Sequence, residues 1–222
     1  MSQIVIASST AWPVTLRAGA LVLRPLRRGD QNRWAQVRQT NRAWLARWDA
    51  TAPPEMWPVQ SSFSDMLGSL RQQARQGRSL PWVLAWDDGW PNRPSRWPEL
   101  IGQVSVNGIT WGSSRSAYIG YWIDQGWAGR GLMPLAVALA SDYCFHTLRL
   151  HRLEIDILPE NRPSHRVVEK LGYASDGQRR SLLHINGVWR EHDAFVMTSD
   201  EAPASLVERV LNGRAVPGAP VG

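Results

Sequence analysis

At 222 residues, 43% of them hydrophobic, the chain can bury one sizeable core, and a single main domain is expected. The formal charge of +6 favours anionic ligands, but every basic residue except Lys170 is an arginine, and these are scattered rather than gathered into an arm or stripe, so direct nucleic-acid specificity is not expected. One cysteine, Cys144, excludes an internal disulfide and a cysteine metal site, and neither a signal-peptide core nor an apolar run near the ~20 residues of a membrane span is present, so a soluble cytoplasmic protein is expected.

Ile4–Ile6 is a short strand candidate and Ala20–Arg24 a better one, closed by Pro25. Gly29-Asp30 opens a helix through Trp34 and Val37 with Asp30 as N-cap, and Thr51–Glu55 breaks it. A second helix covers Ser62–Gln76 and stops at Gly77. Leu80–Trp86 and Glu99–Val106 read as strands around the proline- and glycine-rich loop Asp87–Pro98. Thirteen tryptophans, including Trp34, Trp44, Trp48 and Trp57 in or near the first helical region, supply core and groove walls and allow an aromatic acceptor cleft.

Ala117–Ile123 is apolar on both alternations, the pattern of a strand covered on both faces. A glycine-bearing turn then opens into a helix over 131–148, with Pro134 in the first turn, where its missing N–H costs little. Arg152–Leu158 alternates, with Leu153, Ile155 and Ile157 on one face and Arg152, Glu154 and Asp156 on the other. A helix follows from Pro163 to Leu171, then strands at Tyr173–Ser181 and Val188–Met197 joined through an Asn186-Gly187 turn. After Thr198, one helix candidate, Ala204–Leu211, precedes a frayed tail. The strand–helix–strand unit 117–158 has the size of a parallel crossover within one mixed α/β sheet covered on both faces.

The turn is the most informative segment, because backbone N–H groups at a helix N-terminus can hold a phosphate. Gly129-Arg130-Gly131 is followed by Leu132, Met133 and Pro134, so the third glycine of a dinucleotide fingerprint is missing. No Lys-Ser or Lys-Thr pair exists for a nucleoside triphosphatase loop. What remains is either a pyrophosphate nest on the amides of this turn with Arg130 as charge support, or an ordinary tight turn. Downstream, Asn161 either bonds an extended ligand or caps a helix, and Ser164 either faces the same cleft or is an ordinary first-turn residue.

Taken together, Ile119–Asp124, Gln125–Met133, Leu158–Ser164 and Glu169–Tyr173 resemble the GCN5-related N-acetyltransferase superfamily, and the arrangement over roughly 15–198 is similar to the branch that acetylates N-terminal α-amines of ribosomal proteins. The resemblance implies a central, mostly antiparallel twisted sheet with one splayed parallel strand pair and helices on both faces. It implies an N-terminal extension at 1–14, the acetyltransferase domain at 15–198 and a tail at 199–222. It implies acetyl-coenzyme A as cosubstrate and no metal.

By the same resemblance, Tyr121, Trp122 and Ile123 meet the pantetheine arm, while Ala128, Gly129, Arg130, Gly131, Leu132 and Met133 hold the pyrophosphate, with Asn161 and Arg166 as further cofactor contacts. Ala128 and Met133 stand where the family loop usually has Gln or Arg and Gly or Ala, changes that leave the amide donors in place. Ser164 is the first candidate to assist the departing thiolate, and Tyr173 is either the acid or a core residue. Glu154 either accepts the amine proton through water or pairs with an arginine. The expected acceptor is a protein N-terminus, such as that of a ribosomal protein. The alternatives are a small amine (aminoglycoside or polyamine) and a non-catalytic acyl-coenzyme A binder. Both monomer and homodimer fit the sequence.

Overall fold

Nine strands form one sheet in a computed structural model that describes residues 4–5, 10–53 and 62–213. The strands are β1 (Ile4–Val5), β2 (Leu16–Ala18), β3 (Leu21–Pro25), β4 (Leu80–Trp86), β5 (Glu99–Thr110), β6 (Ser116–Ile123), β7 (Arg152–Ile157), β8 (Ala174–Ile185) and β9 (Val188–Thr198). The sheet order is β1-β2-β3-β4-β5-β6-β7-β9-β8, and every pair is antiparallel except β6–β7. The mixed sheet with one parallel pair is therefore the expected one. β2 was not anticipated from the sequence, and Pro25 ends β3 from inside it, paired with Trp82. Ile6, Pro54, Glu55, Trp57 and the tail from Arg214, all assigned roles above, lie outside the described residues.

The helices are α1 (Gln31–Thr40), α2 (Arg42–Leu45), α3 (Phe63–Arg75), α4 (Leu132–Asp142), α5 (Arg162–Leu171) and α6 (Leu206–Leu211). Ser62 caps α3 reciprocally with Asp65: its hydroxyl accepts the Asp65 N–H at 3.1 Å, and the Asp65 carboxylate accepts the Ser62 N–H at 3.1 Å. Asp30 does stand at the N-cap position of α1, but its carboxylate does not cap it. Both oxygens bind Arg24 at 2.8 Å, and one also accepts the Arg27 N–H at 2.7 Å. The buried Arg24 is thereby matched in charge and geometry, which its burial requires.

α4 is buried along nearly its whole length and packs with α5 on one face of the sheet, with Trp82, Leu84, Val104, Leu153 and Ile155 beneath. The expected helix over 131–148 is α-helical only to Asp142 and then widens to a π-turn over Tyr143–Thr147, where Leu148 N–H reaches Tyr143 O at 3.1 Å. Asp142, buried at that junction, accepts the N–H groups of Leu206 (2.8 Å) and Val207 (3.1 Å), fixing the start of α6 on α4. The other face carries α1 and α3 over Leu26, Val37, Leu67, Val83 and Leu100.

One expectation about β6 fails in an informative way. It is not covered on both faces: Ala117 and Ile119 are buried, but Tyr118 is 51% exposed and 120–123 are half-buried. The parallel pairing runs only through Ser116–Arg152, Ala117–Leu153 and Tyr118–Glu154. Beyond it, β6 stays paired to β5 as far as Ile123, and β7 to β9 as far as Ile157. The two strands therefore part, and their facing edges leave a wedge.

Candidate active site

The wedge is the floor of a cavity of about 540 Å³. Its strand wall is Tyr121, Trp122 and Ile123, whose edge on the β7 side has no strand partner. Unpaired backbone donors and acceptors beside open space are suited to an extended ligand that takes the place of a strand. Trp122 is held from behind by its Nε1–H bond to Gln103 Oε1 (3.1 Å) and by the edge of Trp34 (5.5 Å between ring centroids).

The second wall is the turn into α4. Ala128, Gly129, Gly131, Leu132 and Met133 line it. Gly129 and Gly131 have φ of 77° and 75°, and Gly131 is the N-cap of α4. Only glycine adopts this conformation without penalty, and the alternation turns successive N–H groups to one side. A Cβ at either position would meet nothing within 4 Å, so the glycines serve backbone shape and leave the space above them open. Pro134 is the third residue of α4, so the first-turn amides available to an anion are those of Leu132 and Met133.

Arg130, expected to lend charge to this nest, is not part of the lining. Its guanidinium donates to Gly126 O at 2.8 Å and stacks 4.8 Å from the centre of the Trp127 ring, closing the loop on itself. The turn therefore brings backbone, and no side-chain charge, to the cavity.

The third wall is the start of α5. Asn161 caps it, its Oδ1 accepting the Ser164 N–H at 3.3 Å, so the capping alternative is realised while the residue still lines the cavity. The Ser164 hydroxyl stands beside the Tyr121 phenol and also lines the cavity. Tyr121 OH donates to the Ser164 carbonyl at 3.4 Å. Burial pushes the Tyr121 phenol above its ordinary range and keeps it protonated, with the Ser164 hydroxyl, a donor to the ionised form, opposing the shift. Arg166 lines the same wall.

Two sequence candidates stand elsewhere. Tyr173 is buried, with its hydroxyl 2.8 Å from Ser141 Oγ, the core alternative of its two readings. Glu154 is held by Arg152 (3.0 Å) and Arg179 (3.2 Å), the arginine-paired alternative, and does not line the cavity. Beside it on β7, Asp156 is pushed up to about 6 by burial first and then by the Glu154 charge, and its Oδ1 is buried without a partner.

The fourth wall was only broadly foreseen. Trp44, Leu45, Trp48 and Asp49 face the strand across the cavity. Trp44 Nε1–H donates to Ile123 O at 3.3 Å, fixing α2 to the end of β6. The Trp44–Trp48 spacing of one helical turn is the signal that could have singled out this stripe. The segment after it is tied down by Thr51 N–H to His184 O (2.8 Å) and by an Ala50–Ile185 bridge. Gln125, Pro163, Val167 and Lys170 also line the cavity and were not foreseen.

Residues 20–174 match the family model for the acetyltransferase (GNAT) domain. The chain belongs to that family, and is an acyltransferase of the N-acetyltransferase class. Among solved structures, Mycobacterium smegmatis RimJ in complex with CoA-disulfide is similar at 31% identity with a TM-score of 0.81, over 91% of this chain and 95% of that one. The [ribosomal protein uS5]-alanine N-acetyltransferase of Escherichia coli is 29% identical over 188 residues, 85% of this chain and 92% of that protein. A probable N-acetyltransferase of Bacillus subtilis, YjcK, is 42% identical over 102 residues, 46% of this chain and 56% of that protein, so the chain spans just over half the length of that relative. These likenesses place the chain in the RimJ/RimL-like branch. No helix among the described residues is long and apolar enough to cross a membrane.

Proposed function

We propose that the chain transfers the acetyl group of acetyl-coenzyme A to the N-terminal α-amine of a protein, with ribosomal proteins as the substrate class and the cytoplasm as the setting. One observation carries this reading. A single cavity joins the unpaired β6 edge, the amide nest before α4 and the Asn161–Ser164 helix start to a tryptophan wall on the opposite side. The RimJ likeness, a structure with a coenzyme A disulfide, supports the donor, and the uS5-alanine enzyme supports the acceptor.

The bound donor supplies an acetyl thioester. The residues present fit it: the β6 edge binds and orients an extended pantetheine arm, and the Gly129–Met133 amides hold a pyrophosphate. A strand N–H aimed at the thioester carbonyl stabilises developing negative charge, and fixed alignment of amine and carbonyl lowers the barrier further. Ser164 Oγ delivers a proton to the departing sulfur directly or through water and regains one from solvent, to which the attacking amine gives up its own, and the protonated Tyr121 hydroxyl stands next to it. Asn161 holds Ser164 in place through the helix start.

The acceptor wall favours a peptide over a polyamine. Asp49 is the one carboxylate among the lining residues, and Arg38 neutralises it at 2.5 Å. Several ammonium groups would find aromatic faces there but no set of opposing charges. A mass-resolved acetyl-transfer screen over N-terminal peptides, polyamines and aminoglycosides tests the proposal. Turnover confined to small amines would overturn the protein acceptor, and donor binding without any product would identify an acyl-coenzyme A-binding protein instead.

A further inference from the structure

Asp156 places a buried carboxylate oxygen on the sheet, outside the lining of the cavity. Leu153, Ile155 and Ile157 of β7 pack into the core under α4, so Glu154 and Asp156 stand on the opposite face. Strand register sets the neighbours of Asp156 there. The parallel pairing ends at Tyr118–Glu154, so Gly120 and Asp156 are the next residues of that face, at the point where the strands part. Gly120 pairs with Ser105 on β5, and Asp156 with Ala194 on β9. The row across the sheet therefore reads serine, glycine, aspartate, alanine. A Cβ at Gly120 would find only Ser105 Oγ within 4 Å, at 3.7 Å, so a recess lies beside the carboxyl.

The recess adjoins the cavity through the sheet. Along the strand wall, Tyr121 and Ile123 pack with the core under α4, whereas Trp122 packs with the cluster under α1 and α3. Side chains of both faces thus bound the cavity where the strands part. Trp122 follows Gly120 by two residues, about 7 Å at the rise of a strand. An amine nitrogen beside the β6 edge is within the span of the carboxyl and one water.

The charges around Asp156 leave room for a cation. Its Oδ1 has no partner, and a buried carboxylate oxygen without a donor is costly unless a ligand supplies one. Glu154 is its neighbour along β7, and the protonated Asp156 bonds to it. Arg179 attracts the carboxylate from β8, but its own bonds go to Glu154 (3.2 Å) and Asp176 (2.7 Å). Arg152 is spent on the same two carboxylates, at 3.0 and 2.8 Å. His192, on the same face of β9, keeps a ring nitrogen 3.1 Å from the Arg190 carbonyl, and burial lowers its pKa. The exposed Tyr118 borders Glu154 from β6.

We propose that Asp156 receives the ammonium of the acceptor where β6 and β7 part and takes one proton from it, directly or through one water. This rests on the reading of an N-terminal amine as acceptor, and it moves to Asp156 the role that the resemblance offered Glu154. The proton leaves the ammonium nitrogen for a carboxylate oxygen and passes to solvent past the half-buried Glu154. The freed lone pair forms the C–N bond as the C–S bond breaks. The second proton of the nitrogen goes to solvent, and the sulfur takes one through Ser164. One proton is released for each acetyl group transferred.

The test is the pH dependence of kcat/KM for acetylation of an N-terminal peptide by the full chain. The wild type should show a lower limb near the Asp156 value of about 6. Asp156→Asn cannot take the proton and must wait for the free amine, which forms only near pH ~8. Its lower limb should move there, and kcat/KM at pH 7 should fall by about 10²-fold or more. Its affinity for acetyl-coenzyme A should stay within about twofold of wild type. Glu154→Gln should keep turnover, with the limb below that of wild type because a repelling charge is gone. A limb unmoved in Asp156→Asn, or wild-type turnover there, would overturn the assignment and leave the acetyltransferase reading standing. Loss of turnover in Glu154→Gln with Asp156→Asn active would also overturn it and return the role to Glu154. No turnover of any peptide by the folded wild type would overturn both this assignment and the protein acceptor.

Discussion

Asn41 Oδ1 accepts the backbone N–H of Gln125 at 2.8 Å, tying the junction of α1 and α2 to the first turn beyond β6. Its amide nitrogen donates to Val37 O at 2.9 Å, and the residue is only 2% exposed. With the Trp44–Ile123 bond, this joins the tryptophan wall to the strand proposed to orient the donor. Asn41→Ala removes the acceptor of the Gln125 N–H in a part-buried bond, at a cost of about 1 kcal/mol. For a chain of this length the melting temperature should fall by about 2–4 °C per kcal/mol. Steady-state kinetics should show KM for the amine rising more than donor affinity falls. An unchanged acceptor KM in a destabilised protein would show that the tie is structural only.

Gly129 and Gly131 should respond to substitution through backbone conformation, because open space lies where a Cβ would project. Alanine at either position is expected to cost about 1–2 kcal/mol of left-handed backbone strain. Part of that is recovered by letting the turn relax and misaim its amides, so donor affinity should fall about tenfold or more. Gly131→Asn tolerates the same φ better and should retain more affinity than Gly131→Ala. Titration with acetyl-coenzyme A on the two variants gives the comparison, and equal losses would refute the conformational account.

Three polar residues near or below the cavity separate catalysis from support. Ser164 Oγ meets only the Tyr121 phenol, so Ser164→Ala should lower the melting temperature by no more than about 2–4 °C while lowering kcat by about 10²-fold, the general-acid range. Asn161→Ala removes a helix cap as well and should lose about 1 kcal/mol of stability together with activity. Tyr173→Phe breaks only the bond to Ser141 in the core and should destabilise by about 1 kcal/mol with kcat intact. Full activity in Ser164→Ala would remove that hydroxyl from the chemistry.

What the sequence made legible follows from how local each signal is. Capping, glycine and Asn-Gly signals located most elements to within a few residues, and the β6–turn–α4 and β7–α5 segments located three of the four cavity walls. The apparent double burial of β6 misled, because hydropathy records what a strand could bury and not whether its neighbour stays alongside. Arg130 misled for a similar reason: a cation beside a phosphate nest has a choice of partners, and an indole and a carbonyl within its own loop won. The fourth wall was legible as the tryptophan-bearing first helical region but not in its placement, since what fixes Trp44 and the segment after Trp48 is contact with Ile123 and the hairpin, far away in the chain. Asp156 was legible as a residue on the polar face of its strand, but its burial is a tertiary property.

That burial gives Asp156 a pH signature. Its carboxyl is pushed up to about 6 from an ordinary value of 3.8, by desolvation first and then by the charge of Glu154, with Arg179 opposing. The proton is thus held more tightly in the folded chain than in the unfolded one. Below pH ~3.8 the group is protonated in both states and costs nothing, stability is lost as pH rises through about 6, and above that the penalty is constant. Asp156→Asn imitates the protonated form at every pH, so it should stabilise the protein at pH 8 and progressively less towards pH 4.5. The residue is only partly buried, and solvent screening holds the expected gain at pH 8 to about 1 kcal/mol, or about 2–4 °C. Thermal melts of both proteins across that range decide the matter. A difference that does not change with pH would mean that the variant acts through packing and that the carboxyl titrates normally.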